Sequence, residues 1–410
     1  VKIEEVIEKS PAKVKMTGNF TDIVRSAVES DPLVLSTMAN YEARSAGVDV
    51  TKSQKDFQFS GTIYGGIEDV TDETAGVAAI LNANKVIYDG GQLDNRISAE
   101  KYYALAAVNE YELALDESAL VALRAWVELD RYLTLNELIG SRLEVLGPLI
   151  AQLQQVAKAG LGDVAMVSAA QRTVSMIEVT QTDVAQRLGQ AQVGFLNVFG
   201  DLPSSVRFDG EAISKSVPVV LSKELAVGSP ALRAEYAKYQ AALASLKSIR
   251  ASDSFNVGFE TKIQRPFGES GYDSDESVGV VFRKTLYNGG KLNSEIEAAE
   301  AQVIAQLESV KSTFRRGDRA VQTAQETILS MDKAIDLAKS NAENTRDEIN
   351  YLRKQLIIGQ STLDSVLSAE ARLYEAEAKE INFLADRRLA ELTVLSATGL
   401  LSDFLEIDLN

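Results

Sequence analysis

Apolar residues along this chain keep two periods, and the chain divides where the period changes. From Phe20 to about Lys55, positions such as Ile23, Ala27, Val28, Leu35, Met38 and Ala39 recur at roughly 3.6 residues, the mark of one helix face. Asp31-Pro32 interrupts that run and restarts it, because proline suits a first helical turn. Phe57 to Tyr64 then alternates as a strand with two unlike faces. Gly65 to Gly76 is acidic and rich in turn residues, and Val77 to Tyr88 resumes a strand. Gln92 to Ala159 reads as helix throughout, with Pro148 the one place for a kink or local unwinding. At ~1.5 Å per residue that helix is on the order of 100 Å long, more than a compact domain needs. Gly160-Leu161-Gly162-Asp163 is a turn with a helix-start signal at Asp163, and a second helix returns from Val164 to Phe199. Gly200 to Val227, with Pro203 and Pro218, reads as irregular.

The pattern then begins again. Ser229-Pro230 starts a helix to about Ala251, and Phe255 to Ile263 is the cleanest alternating strand. Gly268 to Glu276 is a loop, and Ser277 to Phe282 a strand. Tyr287-Asn288-Gly289-Gly290 makes a corner into a helix that runs to Ile358. Gly359-Gln360-Ser361-Thr362 turns the chain, with Ser361 or Thr362 as cap, and a return helix ends at Gly399. At a constant offset of 199, Tyr88 matches Tyr287, Gly90 and Gly91 match Gly289 and Gly290, and Leu93 matches Leu292. Leu153 matches Leu352, Gly160 matches Gly359, Ala170 matches Ala369 and Gly200 matches Gly399, again without a gap. A corner, a tip and a stop in register constitute an internal repeat. The organisation expected is an arm over 1–19, a first repeat over 20–200, a linker over 201–227, a second repeat over 228–401 and a tail over 402–410.

Helices of this length need partners, and antiparallel coiled-coil hairpins supply them. Ile296, Ala299, Val303, Leu307 and Val310 make such a seam. On the helices alone, the chain could be a soluble coiled-coil adaptor or scaffold. The strands add a second requirement. A four-stranded sheet at one end of a bundle has two open edges, which several chains could close into one barrel. Phe255, Val257, Phe259 and Ile263 would face one way, and Asn256, Gly258, Glu260 and Lys262 the other. Apolar-out and polar-in is the pattern of a membrane barrel, and a soluble sheet with one core face alternates in the same way.

Composition narrows the chemistry. Of 410 residues, 45% are hydrophobic and 25% charged, with a net charge of −17. Such a charge argues against nucleic acid as partner. There is no cysteine and no histidine, so disulfides, thiolate sites and Ser-His-Asp or Cys-His catalysis are excluded. No enzyme activity, no metal and no cofactor are expected. No run of about 18 apolar residues marks a transmembrane helix. Asn288-Gly289-Gly290-Lys291 lacks the upstream glycine and following Ser/Thr of a phosphate loop. Trp126 and Tyr132 read as helix packing.

The two-fold repeat, the Leu286-Tyr287-Asn288-Gly289-Gly290 corner and the tip pattern resemble the TolC-like outer-membrane factors of Gram-negative bacteria, from about Phe20 to Leu401. The tip pattern is a glycine followed ten residues later by an alanine, Gly160 to Ala170 and Gly359 to Ala369. The resemblance implies a mixed, mostly α fold. Three chains would share a twelve-stranded barrel in outer-membrane lipid and a long α-helical tunnel in the periplasm. It implies a passive exit duct for type I secretion or multidrug efflux. Its partners would be a periplasmic adaptor and an inner-membrane ABC or proton-driven transporter. Gly65–Gly76 and Gly268–Glu276 would be extracellular loops, and residues 200–227 part of an equatorial belt. Ala159, Gly160, Leu161, Ile358, Gly359 and Gln360 would be adaptor-docking tips. Where family members place gate aspartates, this chain has Met166, Ser365 and Ser368, and Asp163 and Asp364 lie nearby. Family members' gate-locking arginine and tyrosine correspond to Ser361 and Leu356. Gly90, Gly91, Gly289 and Gly290 would be the joints between barrel and tunnel.

Overall fold

The computed structural model describes residues 14–66, 76–158, 164–203, 208–218, 227–268 and 270–407. Helices α1 (Phe20–Glu29) and α2 (Pro32–Ser53) precede strands β1 (Gln58–Gly66) and β2 (Gly76–Tyr88). Helices α3 (Gln92–Lys158), α4 (Val164–Phe199), α5 (Gly210–Ser216) and α6 (Pro230–Ala251) follow. Then come β3 (Asn256–Phe267), β4 (Asp275–Arg283), α7 (Lys291–Ile357), α8 (Leu363–Thr398) and α9 (Leu401–Phe404). Helices α3 and α7 are both 67 residues long, and α4 and α8 both 36. Helix α3 runs through Pro148, and Pro32 and Pro230 each open a helix. Among the described residues, no helix is long and apolar enough to cross a membrane.

The chain forms two compact units, each drawing on both halves of the sequence. One comprises Ser36–Glu112 and Pro230–Arg315. It holds one antiparallel sheet in the order β1-β2-β3-β4. Strands β2 and β3, distant in sequence, pair over Val77↔Phe267 to Tyr88↔Val257, with a bulge between Val86 and Tyr88. The helical part of this unit is built on small residues. Ala234, Ala237, Ala241, Ala242 and Ala244 of α6 and Ala106 and Ala107 of α3 are buried, which permits close helix approach. Ion pairs secure the same helices: Arg233 with Glu112, Lys238 with Glu110 at 2.7 Å, and Arg250 with Glu300 at 2.5 Å. The seam read from Ile296 to Val310 is half-buried rather than core.

The other unit comprises Val1–Leu35, Leu113–Ser229 and Arg316–Asn410. Its aromatic centre is Trp126, 2% exposed, with Phe20, Phe195 and Phe199 at ring distances of 5.4, 4.8 and 5.8 Å. Trp126 is therefore helix packing. Large and small residues interleave along the hairpins. Ile139, Leu146, Ile177 and Leu367 form one cluster, and Ala342, Ile349, Ala369, Leu373 and Ala376 another. Glu370, 2% exposed, pairs with Arg353 at 2.6 Å and Arg142 at 3.4 Å. Glu377 pairs with Arg142 at 2.5 Å and Arg346 at 2.8 Å, so α3, α7 and α8 share one ion network.

One reading of the sequence needs correction here. The stretch from Gly200 to Val227 is not irregular throughout, since α5 forms within it. Asp209 caps α5 by accepting the Ala212 N–H at 3.0 Å. Past Gly399 the chain forms one more helical turn, α9, which Asp116 holds by accepting the Ser402 N–H at 3.1 Å and its hydroxyl at 2.7 Å.

Candidate functional site

The sheet is the most informative surface. Paired residues of an antiparallel ladder lie on one face, so the register assigns every side chain. One face carries Phe59, Ile63, Val77, Leu81, Phe259, Ile263, Val278, Val280 and Phe282. Ile63, Val278 and Phe282 are 72, 71 and 70% exposed, far more than isolated surface apolar residues require. The opposite face carries Gln58, Ser60, Thr62, Asn82, Asn84, Glu260, Lys262, Gln264 and Ser277. There Glu260 grips the Arg283 guanidinium through both oxygens, and Lys262 meets Asp275 at 3.3 Å. The expected opposition of Phe259 and Ile263 to Glu260 and Lys262 is present. The apolar face is interrupted by Lys85 opposite Phe259 and, near the Gly268–Glu276 loop, by Arg265 and Glu276, which pair with each other.

Gly90, Gly91, Gly289 and Gly290 have φ of +69, +85, +72 and +85°, a left-handed turn that an L side chain resists. Asp89 caps the first corner, accepting the N–H groups of Gly91 at 2.9 Å and Leu93 at 2.7 Å. The twins differ in crowding. A Cβ on Gly90 would lie 2.2 Å from the side chain of Ser254, whereas one on Gly289 or Gly290 meets none of the chain's described residues within 4 Å.

At the second tip, Gly359 is left-handed at φ +74°, and the Gln360 N–H reaches back to the Gln355 carbonyl at 2.9 Å. Ile357 and Ile358 are 85 and 65% exposed there. Ala159, Gly160, Leu161 and Asp163 lie outside the described residues, as does the Met166 side chain. Of the gate candidates on α8, Asp364, Ser365 and Ser368 are half-buried. Thr362, one of the two expected caps, accepts the Ser365 N–H at 3.2 Å and shares a 2.7 Å hydrogen bond with its hydroxyl. Ser365 is therefore engaged in the helix start. Among the described residues no group of three metal-ligating side chains converges.

Charges in the helical regions are held by neighbours that sequence spacing does not reveal. Burial opposes the Lys238 ammonium, but Glu110 and Glu235 outweigh it and raise its pKa above the ordinary value. Burial lowers the Arg388 guanidinium, with Glu391 opposing and Arg387 adding. Arg388 donates to the Gly210 carbonyl and Ser214 hydroxyl and so ties α5 to α8.

Residues 221–400 match the family model described as outer membrane efflux protein. The chain is 22% identical to the outer membrane protein TolC of Vibrio cholerae over 408 residues, 96% of this chain and 93% of that protein. The outer membrane protein VceC of Vibrio cholerae has the same fold, with a TM-score of 0.78 at 16% identity over 92% of this chain and 95% of that one. The outer membrane channel CmeC of Campylobacter jejuni superposes with a TM-score of 0.79 at 13% identity, covering 95% of this chain and 89% of that one.

Proposed function

We propose that the chain is a TolC-like outer-membrane protein, three copies of which form an export duct: a twelve-stranded barrel continued by a helical tunnel. The two-faced sheet carries this reading. Its apolar face suits lipid, its polar face suits a wet lumen, and β1 and β4 each present an open edge for a neighbouring copy. The alternative of a soluble coiled-coil scaffold gives no role to that exposed apolar face. The duct is passive, and the work is done by an inner-membrane transporter through a periplasmic adaptor.

Within this reading Ile358, Gly359 and Gln360, with Ala159, Gly160 and Leu161, form the adaptor-docking ends. The exposure of Ile357 and Ile358 supports that role. Asp364 in the first turn of α8, repeated in three copies, would favour cations at the periplasmic entrance. Gly90, Gly91, Gly289 and Gly290 join barrel to tunnel. The test of the assembly is the mass of the detergent-solubilised protein: three chains are expected, and a stable monomer overturns the duct. Two cargoes suit such a duct, small molecules and a secreted protein. A deletion strain that accumulates dye identifies the first, and one that retains a secreted protein identifies the second.

A further inference from the structure

Helices α2 and α6 are twins in the repeat. Both are 22 residues long and both open on proline, Pro32 and Pro230, an offset of 198. Each packs on the long helix of its own half. Arg44 of α2 lies over the Tyr103 ring of α3, and Arg250 of α6 pairs with Glu300 of α7. On those sides Val48 and its twin Leu246, each one turn from the arginine, are buried. Helix α6 has a second packed side, against α3. There Ala237, Ala241 and Ala244 are buried in line with Ser248, which donates to the Gln92 carbonyl of α3 at 2.8 Å. Lys238 reaches Glu110 of α3 at 2.7 Å, and Ala99 and Ala106 of α3 are buried on the side of Glu110.

The twins of that interface stand open. Ala39, Ala43 and Ala46 of α2, which match Ala237, Ala241 and Ala244, are all exposed. So are Ala298 and Ala305 of α7, which match Ala99 and Ala106. The chain thus carries both halves of a second interface, each without its counterpart. We propose that α2 of one copy packs on α7 of the next through these alanines, as α6 packs on α3 within the chain. The contact rests on the duct reading, which supplies the second copy. Its two surfaces are unlike, so copies join head to tail, the arrangement that closes a ring. It also lacks charge, because Asn40 and Ser309 stand where Lys238 and Glu110 form their ion pair. Toward the corner the twins differ, Val50 standing for Ser248, and the hydrogen bond to the helix start is not repeated. The interface between copies is therefore weaker than its twin within the chain.

Ala43→Trp tests the contact, with Ser45→Trp, exposed on the opposite side of α2, as its control. Both proteins are purified in detergent, circular dichroism confirms their helix content, and sedimentation gives the trimer dissociation constant. Crowding a close-packed contact costs about tenfold in affinity. With three contacts in one ring, Ala43→Trp should weaken the trimer roughly a thousandfold, and Ser45→Trp should leave it unchanged. Asn40→Lys combined with Ser309→Glu gives a second measurement that inserts no bulk, because it rebuilds the Lys238–Glu110 pair between copies. An exposed pair is worth about twofold, so three should hold the trimer about tenfold more tightly than the two single changes together predict. A monomeric wild type overturns the duct and the contact together. In a trimeric wild type, two outcomes overturn the contact alone and leave the α2 face to another partner: equal stability of the Ala43→Trp and Ser45→Trp trimers, or independent effects of Asn40→Lys and Ser309→Glu.

Discussion

Replacing Gly90 and Gly289 by alanine, one at a time, separates two costs that a repeat in sequence would make equal. Both glycines are left-handed, with φ of +69 and +72°. An L residue in that region loses roughly 1–2 kcal/mol. Within one chain that is the whole cost at Gly289, because the added methyl meets none of that chain's described atoms within 4 Å. At Gly90 the methyl lies 2.2 Å from Ser254 Cβ and Oγ and 3.2 Å from the Ala251 carbonyl. Something must move, and overpacking adds roughly 1–3 kcal/mol, so Gly90→Ala should cost about 2–5 kcal/mol per chain. The assay is denaturant unfolding of the solubilised protein, read by circular dichroism and by loss of the oligomer on semi-native gels. Asparagine tolerates the left-handed region, so Gly289→Asn should be nearly silent while Gly90→Asn stays damaging. Ser254→Gly in the Gly90→Ala background should recover the packing part. Equal losses at the two corners, or a harmless Gly90→Asn, would refute the argument.

Other perturbations follow from the same contacts. Glu370→Ala strips Arg142 and Arg353 of a carboxylate only 2% exposed. Breaking a buried pair costs ~3–5 kcal/mol, and the half-exposed Arg353 places this loss at the low end of that range in urea unfolding. Asp116→Ala removes the acceptor for Ser402, a loss of about 1–3 kcal/mol, and should lower hydrogen-exchange protection over residues 401–407. Unchanged protection there would show that Asp116 does not seat α9. Burial, with Glu137, raises the pKa of Asp130 above its ordinary 3.8, so its ionised form weakens the fold. That penalty is absent well below 3.8, grows as the pH rises through the raised value, and is complete above it. Asp130→Asn should therefore melt higher than wild type at neutral pH and equal it in acid.

The period of the apolar residues carries most of the fold. Helices α3 and α7 and the strands were legible because each long run keeps one period and glycine or proline marks its ends. The repeat was legible because the chain needs left-handed glycines at the corner and Gly359 at the tip, and glycine is conspicuous in a sequence. Helix α5 was not legible. It has only seven residues, one buried apolar residue in Ile213, and a partner in Arg388, far along the chain. The network around Glu370 was hidden for a related reason. Arg142, Arg353 and Glu370 stand on three helices, and no local spacing joins them. The difference between Gly90 and Gly289 within one chain depends on Ser254, which sits before β3, beside the first corner.

Barrel closure by separate copies can be tested directly, because the chain has no cysteine to interfere. In the order β1-β2-β3-β4 the outer strands are three strand spacings apart within one chain. At about 4.8 Å per spacing that is roughly 14 Å around the sheet. A disulfide needs Cα atoms within about 7 Å, so β1 and β4 of the same chain cannot be bridged while the sheet is intact. Thr62 of β1 and Ser277 of β4 both lie on the polar face, out of contact with lipid in the proposed barrel. A cysteine at Thr62, combined in turn with one at Asp275, Ser277 or Gly279, scans the unknown register between copies. Mild oxidation of the membrane-embedded protein should give covalent dimers and a closed trimer at the register in which the edges meet. Single-cysteine controls should remain monomeric on denaturing gels. If every pair leaves the chain uncrosslinked, or ligates it only to itself, β1 and β4 are not joined between copies. The barrel must then close in some other way.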